Sequence, residues 1–186
     1  MGGMTIAEKI IAKHTEKGYV KPGEFVLADV DFAFGEDITF PVAMKVFLDE
    51  IKASRVFDPN KVGIVIDHYY PAKDVASALN NKKMREFAEK FGVLLFEGVG
   101  IEHVIIPELG LVTPGDLVVG ADSHTTTYGA LNAFATGIGS TDLAAVMALG
   151  KIWLRVPETI KVNLIGKKGK WITGKDVILY IIGQIG

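Results

Sequence analysis

The chain has 186 residues, with 20 Lys+Arg against 22 Asp+Glu and a net charge of -2. That length suits one large domain or two small ones with a full core, and the balanced charge, free of any basic tract, leaves no electrostatic footprint for nucleic acid. The cysteine count is 0, which excludes disulfides, thiol nucleophiles, Cys-ligated zinc and an iron–sulfur cluster held by the chain's own thiolates.

Helical and strand patterns alternate from the start. Thr5 and Glu8 have the spacing of a capping box, and Ile6, Ile10 and Ile11 follow at helical spacing, with Gly18 as the stop. Residues 24–30 read as a short strand after a Lys-Pro-Gly turn. Residues 41–54 read as a helix with Pro41 in its first turn and Val42, Val46, Phe47 and Ile51 on one face. Residues 62–67 form a continuous β-branched run, the pattern of a strand buried on both faces of a parallel sheet. Residues 73–91 predict a long amphipathic helix closed by Gly92, and 93–96 another buried strand. Residues 116–121 repeat the strand pattern. Residues 140–149 predict a helix capped by the Ser140 hydroxyl, with Asp142 near its positive end. Residues 159–165 read as a strand and 175–182 as a helix, although the Val and Ile content of the latter also permits a strand.

This alternation predicts a layered α/β/α domain with a mainly parallel sheet. No linker composition divides the chain, so residues 1–186 are expected to form a single domain. A helix beginning near residue 174 with nothing after it is expected to mark a fragment of a longer protein. The longest apolar runs, at 62–66 and 177–182, are too short to span a bilayer. No basic-then-apolar leader is visible at Met1, and the cytoplasm is the expected location.

Two predicted strands end in polar residues, as Asp67-His68 and as Asp122-Ser123-His124-Thr125. In open α/β sheets the carboxyl ends of strands face the ligand crevice, so the two constellations can share one pocket. A carboxylate bonded to one ring nitrogen of a histidine fixes its tautomer and raises its basicity, which suits a proton donor or acceptor. His103 lies near these segments, whereas His14 is expected to be a solvated side chain. A Ser-His-Asp triad is disfavoured: Ser123 and His124 are adjacent and would point apart on extended backbone, and no Gly-x-Ser-x-Gly elbow is present. Metal binding by Asp67, His68, His103, Asp122 and His124 is chemically possible, but tight ligand spacing is missing. Gly98-Val99-Gly100 and Gly137-Ile138-Gly139 read as turns and close packing. Glu36, Asp37 and Thr39 precede the Pro41 helix, where Thr39 is expected to cap, or where polar groups at a helix start could face an anion.

The Asp122-Ser123-His124-Thr125 segment, continuing through Gly129-Ala130 to Asp142, resembles the signature of the aconitase superfamily. The likeness is strongest to its 3-isopropylmalate dehydratase and homoaconitase large subunits. It extends over nearly the whole chain, through Asp37-Ile38-Thr39, Asp67-His68 with Pro71, Gly100-Ile101-Glu102-His103, Pro114-Gly115, Trp153, Val156-Pro157-Glu158 and Lys175-Asp176. The resemblance implies a hydro-lyase that removes and re-adds water on a di- or tricarboxylate, with a [4Fe-4S] cluster as Lewis acid for the hydroxyl. It implies that His68, paired with Asp67, protonates the departing hydroxyl. It implies that Asp122 pairs with His103 and bonds to the water or hydroxyl at the cluster, that His124 does the same, and that Ser123 binds a substrate carboxylate. Asp37 and Thr39 fall in a substrate-binding motif. Glu36 stands where relatives carry a polar substrate contact, and a carboxylate there would repel an acidic substrate unless protonated or turned away.

By the same resemblance, the cluster cysteines, the serine that takes the carbon-bound proton and the carboxylate-clamping arginines lie outside this chain, in part on a small subunit. The chain is expected to bind no cluster and to be inactive alone. The expected reaction is 2-/3-isopropylmalate interconversion in leucine biosynthesis, with homoaconitase of lysine biosynthesis or a bifunctional enzyme as alternatives. Two rivals come from other classes: a metal-dependent hydrolase using Asp67, His68, Asp122 and His124, and a non-catalytic assembly module.

Overall fold

A computed structural model describes residues 3–185. The capping box forms as expected: the Thr5 hydroxyl accepts the Glu8 N–H, the Glu8 carboxylate accepts the Thr5 N–H, and helix α1 runs over Ile6–Lys13. Strand β1 (Phe25–Asp29) follows. It does not join the main sheet, but pairs antiparallel with a late strand, β7 (Lys151–Arg155), in a two-stranded sheet against α1. Ile11, Val20, Val26 and Val156 close the small core beneath it.

The main sheet has five parallel strands: β2 (Phe32–Glu36), β3 (Val62–Ile66), β4 (Leu94–Glu97), β5 (Leu117–Gly120) and β6 (Phe134–Gly137). Their order is β4-β3-β2-β5-β6. From β2 the chain moves outward to β3 and β4, then returns to the other side of β2 for β5 and β6. The reversal falls between β2 and β5, the place where open α/β sheets leave a crevice at their carboxyl ends.

Helices α2 (Phe40–Lys45), α3 (Val75–Phe91) and α5 (Ser140–Leu149) cover one face. There Ala33, Ile64, Ile66, Leu117 and Val119 meet Phe40, Phe47, Phe87, Leu143 and Met147. Helix α4 (Glu102–Glu108) and a 3-10 segment over Ser123–Leu131 contribute to the opposite layer, where Phe32, Phe34, Val65 and Val118 meet Ile105, Ile106 and Tyr128. Alternate strand residues point to opposite layers, so the three central strands are buried throughout. The α/β/α expectation holds. The edge strands β4 and β6 are only half-buried, which corrects the reading of 93–96 as a buried strand.

Other expectations need correction. The helix expected over 41–54 is α2 followed by a π-helical turn at Val46–Glu50. Its buried face is Phe40, Ala43, Met44, Val46 and Phe47, while Val42 and Ile51 are exposed. Ser140 does not cap α5: Gly139 holds that position, and the Ser140 hydroxyl donates to the Thr39 carbonyl. Residues 159–165 form no strand and lie exposed, since no neighbouring strand is there to pair with them. The C-terminal helix α6 (Gly174–Ile185) is present, with no buried residue. None of the described helices is long and apolar enough to cross a membrane.

Candidate active site

The carboxyl ends of β2, β3 and β5 carry Glu36-Asp37, Asp67-His68 and Asp122-Ser123-His124 to one end of the sheet. Asp67 Oδ1 lies 2.7 Å from His68 Nδ1, and its Oδ2 accepts the Glu102 N–H at 2.7 Å. The Asp67 carboxylate therefore holds the imidazole on one side and the start of α4 on the other. The His68 ring is 41% exposed, so its far edge is open to a ligand. Partial burial alone would lower the His68 pKa, but the Asp67 bond and the charges of Asp67, Glu36 and Asp37 raise it above the ordinary 6.5. The imidazole thus keeps its proton closer to neutral pH than a free histidine does.

A second pair stands beside the first. His103 Nε2 lies 2.6 Å from Asp122 Oδ1, and the same oxygen accepts the His124 N–H at 2.8 Å. Partial burial pushes the Asp122 carboxyl up, but these two donors and the neighbouring imidazoles hold it below its usual range. His124 is 81% exposed, with Nδ1 3.3 Å from Asp122 Oδ1, and Ser123 is exposed at the start of the 3-10 segment. The segment is helical, so the extended geometry used above to separate Ser123 from His124 does not apply. No hydrogen bond joins the Ser123 hydroxyl to an imidazole among the described residues, so a triad is not assembled.

Glu36 and Asp37 are buried and turned inward. The Glu36 carboxylate accepts the N–H groups of Ile38 and Thr39, and Asp37 accepts those of His68 and Tyr69 at 3.1 and 2.6 Å. Both therefore fix the loops that carry the site, and neither offers a carboxylate oxygen outward. Burial raises the Glu36 pKa against the pull of those hydrogen bonds. Thr39 does not cap α2: its hydroxyl is buried with no partner among the described residues, and the Val42 N–H goes to the Thr39 carbonyl instead. His14 is not a solvated side chain. It is 7% exposed, with Nε2 2.5 Å from Asp31 and Nδ1 2.7 Å from the Ile10 carbonyl, and it ties α1 to the entry of β2, far from this crevice in the fold. The expected turns hold: Gly98 has φ 66°, and a Cβ there would stand 2.3 Å from the Tyr70 ring.

One site residue carries no strong sequence signal. Glu102 is 1% exposed and joins the two pairs: its N–H donates to Asp67, and its Oε1 lies 3.3 Å from His103 Nε2. Its other oxygen has no partner among the described residues. Burial, then the charges of Asp67, Asp122, Glu36 and Asp37, raise its pKa from 4.5 to about 9. Glu102 is a neutral acid at pH 7. Its place in Gly100-Ile101-Glu102-His103, next to a paired histidine, was the only available hint.

Ligand-type atoms of His103, Asp122 and His124 come within 4.8 Å of one another, as do those of Glu36, Asp37 and His68. Most already bond to one another or to backbone N–H groups, and the set expected of a hydrolase (Asp67, His68, Asp122, His124) is not gathered around one point. With no cysteine, the donor set does not fit an iron–sulfur cluster either. A shallow hollow of about 210 Å³ lined by Asp67, His68 and Ile101 opens to solvent. Two carboxylate–imidazole pairs thus stand at one end of the sheet.

Comparison with known proteins decides the family. The profile of the Aconitase family (aconitate hydratase) matches residues 8–186. The chain belongs to the aconitase family. Among its relatives, a protein of Pyrococcus furiosus named 3-isopropylmalate dehydratase large subunit 1 is 59% identical, covering 100% of this chain and 44% of the relative. The 3-isopropylmalate dehydratase large subunit of Aquifex aeolicus is 56% identical over 99% of this chain and 43% of its own length. That of Acetivibrio thermocellus is 54% identical over 99% and 44%. This aconitase-family chain thus spans less than half the length of the curated relatives it matches.

Proposed function

We propose that this chain is the N-terminal, single-domain portion of a cytoplasmic hydro-lyase large subunit that interconverts 2- and 3-isopropylmalate in leucine biosynthesis. The observation that carries the reading is the pair of carboxylate–imidazole couples at the sheet's switch point, linked through Glu102-His103. The names of the relatives favour isopropylmalate over homoaconitate.

Dehydration removes a hydroxyl from one carbon and a proton from its neighbour. His68, held protonated by Asp67, gives its proton to the departing hydroxyl, which leaves as water. Rehydration at the adjacent carbon runs the same transfer backwards. Asp122, kept ionised by His103, accepts a hydrogen bond from that water and orients it, and His124 contacts it from the exposed side. Ser123 donates to a substrate carboxylate. Thr39 lies at the same end of the sheet, whereas Asp37 positions the His68 loop, Glu36 holds the turn before α2, and neither is a substrate contact. The carbon-bound proton passes to a base outside this chain, on a partner small subunit. In the whole enzyme a [4Fe-4S] cluster would supply Lewis acidity, held by cysteines that this chain lacks.

The test is turnover by the full-length large subunit with its small subunit and cluster. His68→Ala and Asp122→Ala should each lower kcat by about 10²–10⁴-fold with the melting temperature little changed. Preferred turnover of homoaconitate would reject the substrate assignment, and full activity in both variants would reject the site.

A further inference from the structure

We infer that Tyr128 is a positioning residue for the His103–Asp122 couple; this rests on the hydro-lyase reading above. Tyr128 is 1% exposed and sits on the 3-10 segment that begins just after Asp122. Its hydroxyl lies 3.2 Å from His103 Nδ1 and 3.5 Å from the Glu102 carbonyl oxygen. One short segment thus grips the His103 ring at both nitrogens, with Asp122 at Nε2 and Tyr128 at Nδ1. The ring also packs edge-on against Tyr128 at 5.6 Å and against Phe34 at 6.1 Å.

The chemistry of the partners fixes the direction of each bond. An ionised Asp122 only accepts, so Nε2 must carry a proton. A neutral imidazole then has its lone pair on Nδ1, where it needs a donor. Burial, with the charges of Glu102, Asp122 and Asp67, keeps the phenol protonated throughout the physiological range. Tyr128 is therefore that donor. When His103 is cationic, Nδ1 becomes a donor, and the same hydroxyl accepts from it and turns its own proton to the Glu102 carbonyl. Either charge state of His103 leaves no ring nitrogen unpaired, and the ring plane does not move. Without the hydroxyl, Asp122 still favours the tautomer with N–H on Nε2, but the Nδ1 lone pair loses its donor and the ring loses the contact that fixes it at its second nitrogen. The other tautomer would set a bare Nε2 against an anionic oxygen.

The experiment is steady-state kinetics on the full-length enzyme, with its small subunit and cluster, carrying Tyr128→Phe. The expected result is a kcat lower by about 10–100-fold, the usual cost of losing an outer partner of a working histidine, with KM within about threefold of the parent. Incorporating p-fluorophenylalanine at position 128 fills the hydroxyl's space with a group that cannot donate, and should give the same split even if Tyr128→Phe folds poorly. 3-Fluorotyrosine there keeps the donor and should restore kcat to within a few-fold of the parent. Parental kcat in the p-fluorophenylalanine protein, or a loss confined to KM, overturns the inference. His68→Ala and Asp122→Ala are run alongside: if these lose kcat while the position-128 proteins do not, only the role of Tyr128 falls. If they too keep parental kcat, the hydro-lyase reading falls first.

Discussion

At the residue scale, the charge state of His68 depends chiefly on Asp67. Glu36 Oε2 and Asp37 Oδ1 also stand 3.5 Å from Nδ1, but each is occupied by backbone donors. Asp67→Asn keeps an acceptor for the Glu102 N–H and removes the charge that favours the imidazolium. The sign follows: the folded pKa of His68 falls, so the protonated acid is lost at lower pH. The alkaline limb of kcat/KM in the full-length enzyme should move down by about one pH unit, and an unmoved limb would show that Asp67 does not set this charge. Glu102 makes the opposite kind of prediction. Its folded pKa is raised to about 9. Below pH 4.5 both folded and unfolded chains hold the proton. Between 4.5 and about 9 only the folded chain does, so rising pH costs stability across that window. Glu102→Gln mimics the neutral acid, and should flatten the fall in melting temperature from pH 5 to 9. An unchanged slope would mean that other groups carry it. The sequence showed Asp67-His68 and Asp122-Ser123-His124 because strand-end polar residues after apolar runs stand out. It hid Glu102 and the inward turn of Glu36 and Asp37, because burial of a carboxylate depends on which loops fold over it.

At the element scale, the site depends on two segments lying close. Gly137, the last residue of β6, lets the strand pass against the Asp122 backbone: a Cβ there would stand 2.6 Å from the Asp122 carbonyl oxygen and 3.0 Å from the Ser123 Cα. Neither contact is a flexible side-chain tip, so the chain itself must shift. Gly137→Ala should cost about 1–3 kcal/mol of stability and lower kcat in the full-length enzyme by roughly 10–100-fold, because displacements of about 1 Å at a reacting group are that expensive. Equal chemical denaturation midpoints and kcat in the two proteins would show that the backbone yields freely. The reading of this stretch as close packing was available from its small residues, whereas β6 itself was not. Neither was β2, the central strand: Phe32-Ala33-Phe34-Gly35-Glu36 is brief, lies between acidic residues and ends in a buried carboxylate. Long helices were legible because periodicity accumulates over turns. Four- or five-residue strands give only one or two alternations, and what identifies them is pairing with strands remote in sequence. Residues 159–165 illustrate the converse, with strand composition and no partner.

At the scale of the whole molecule, packing stops at Val156. Val156 is 1% exposed and closes the small core with Ile11 and Val26. Beyond it no described residue is buried, although Ile160, Leu164, Ile165, Trp171, Leu179 and Tyr180 are large and apolar, with Trp171 84% exposed. The link back to the body is a single side-chain hydrogen bond from Thr159 to Thr5 among the described residues. Backbone with so few contacts opens locally at little cost, and cleavage there follows the population of open forms rather than global unfolding. Trypsin acting on this 186-residue polypeptide should therefore cut first at Lys161, Lys167, Lys168 or Lys170. It should leave a body that retains β7 and melts within a few degrees of the parent, because nothing in its cores is removed. The surface lysines Lys82 and Lys83, in the middle of α3, provide the internal comparison, since they too are exposed but on a helix with backbone hydrogen bonds and a buried face. Cleavage in α3 before 161–170 would mean that the later segment packs more tightly than its exposed side chains allow. In a large subunit more than twice this length, the same four lysines should be cut more slowly if further chain covers this apolar surface. The ratio of the two cleavage rates, full-length against 186 residues, measures that cover directly.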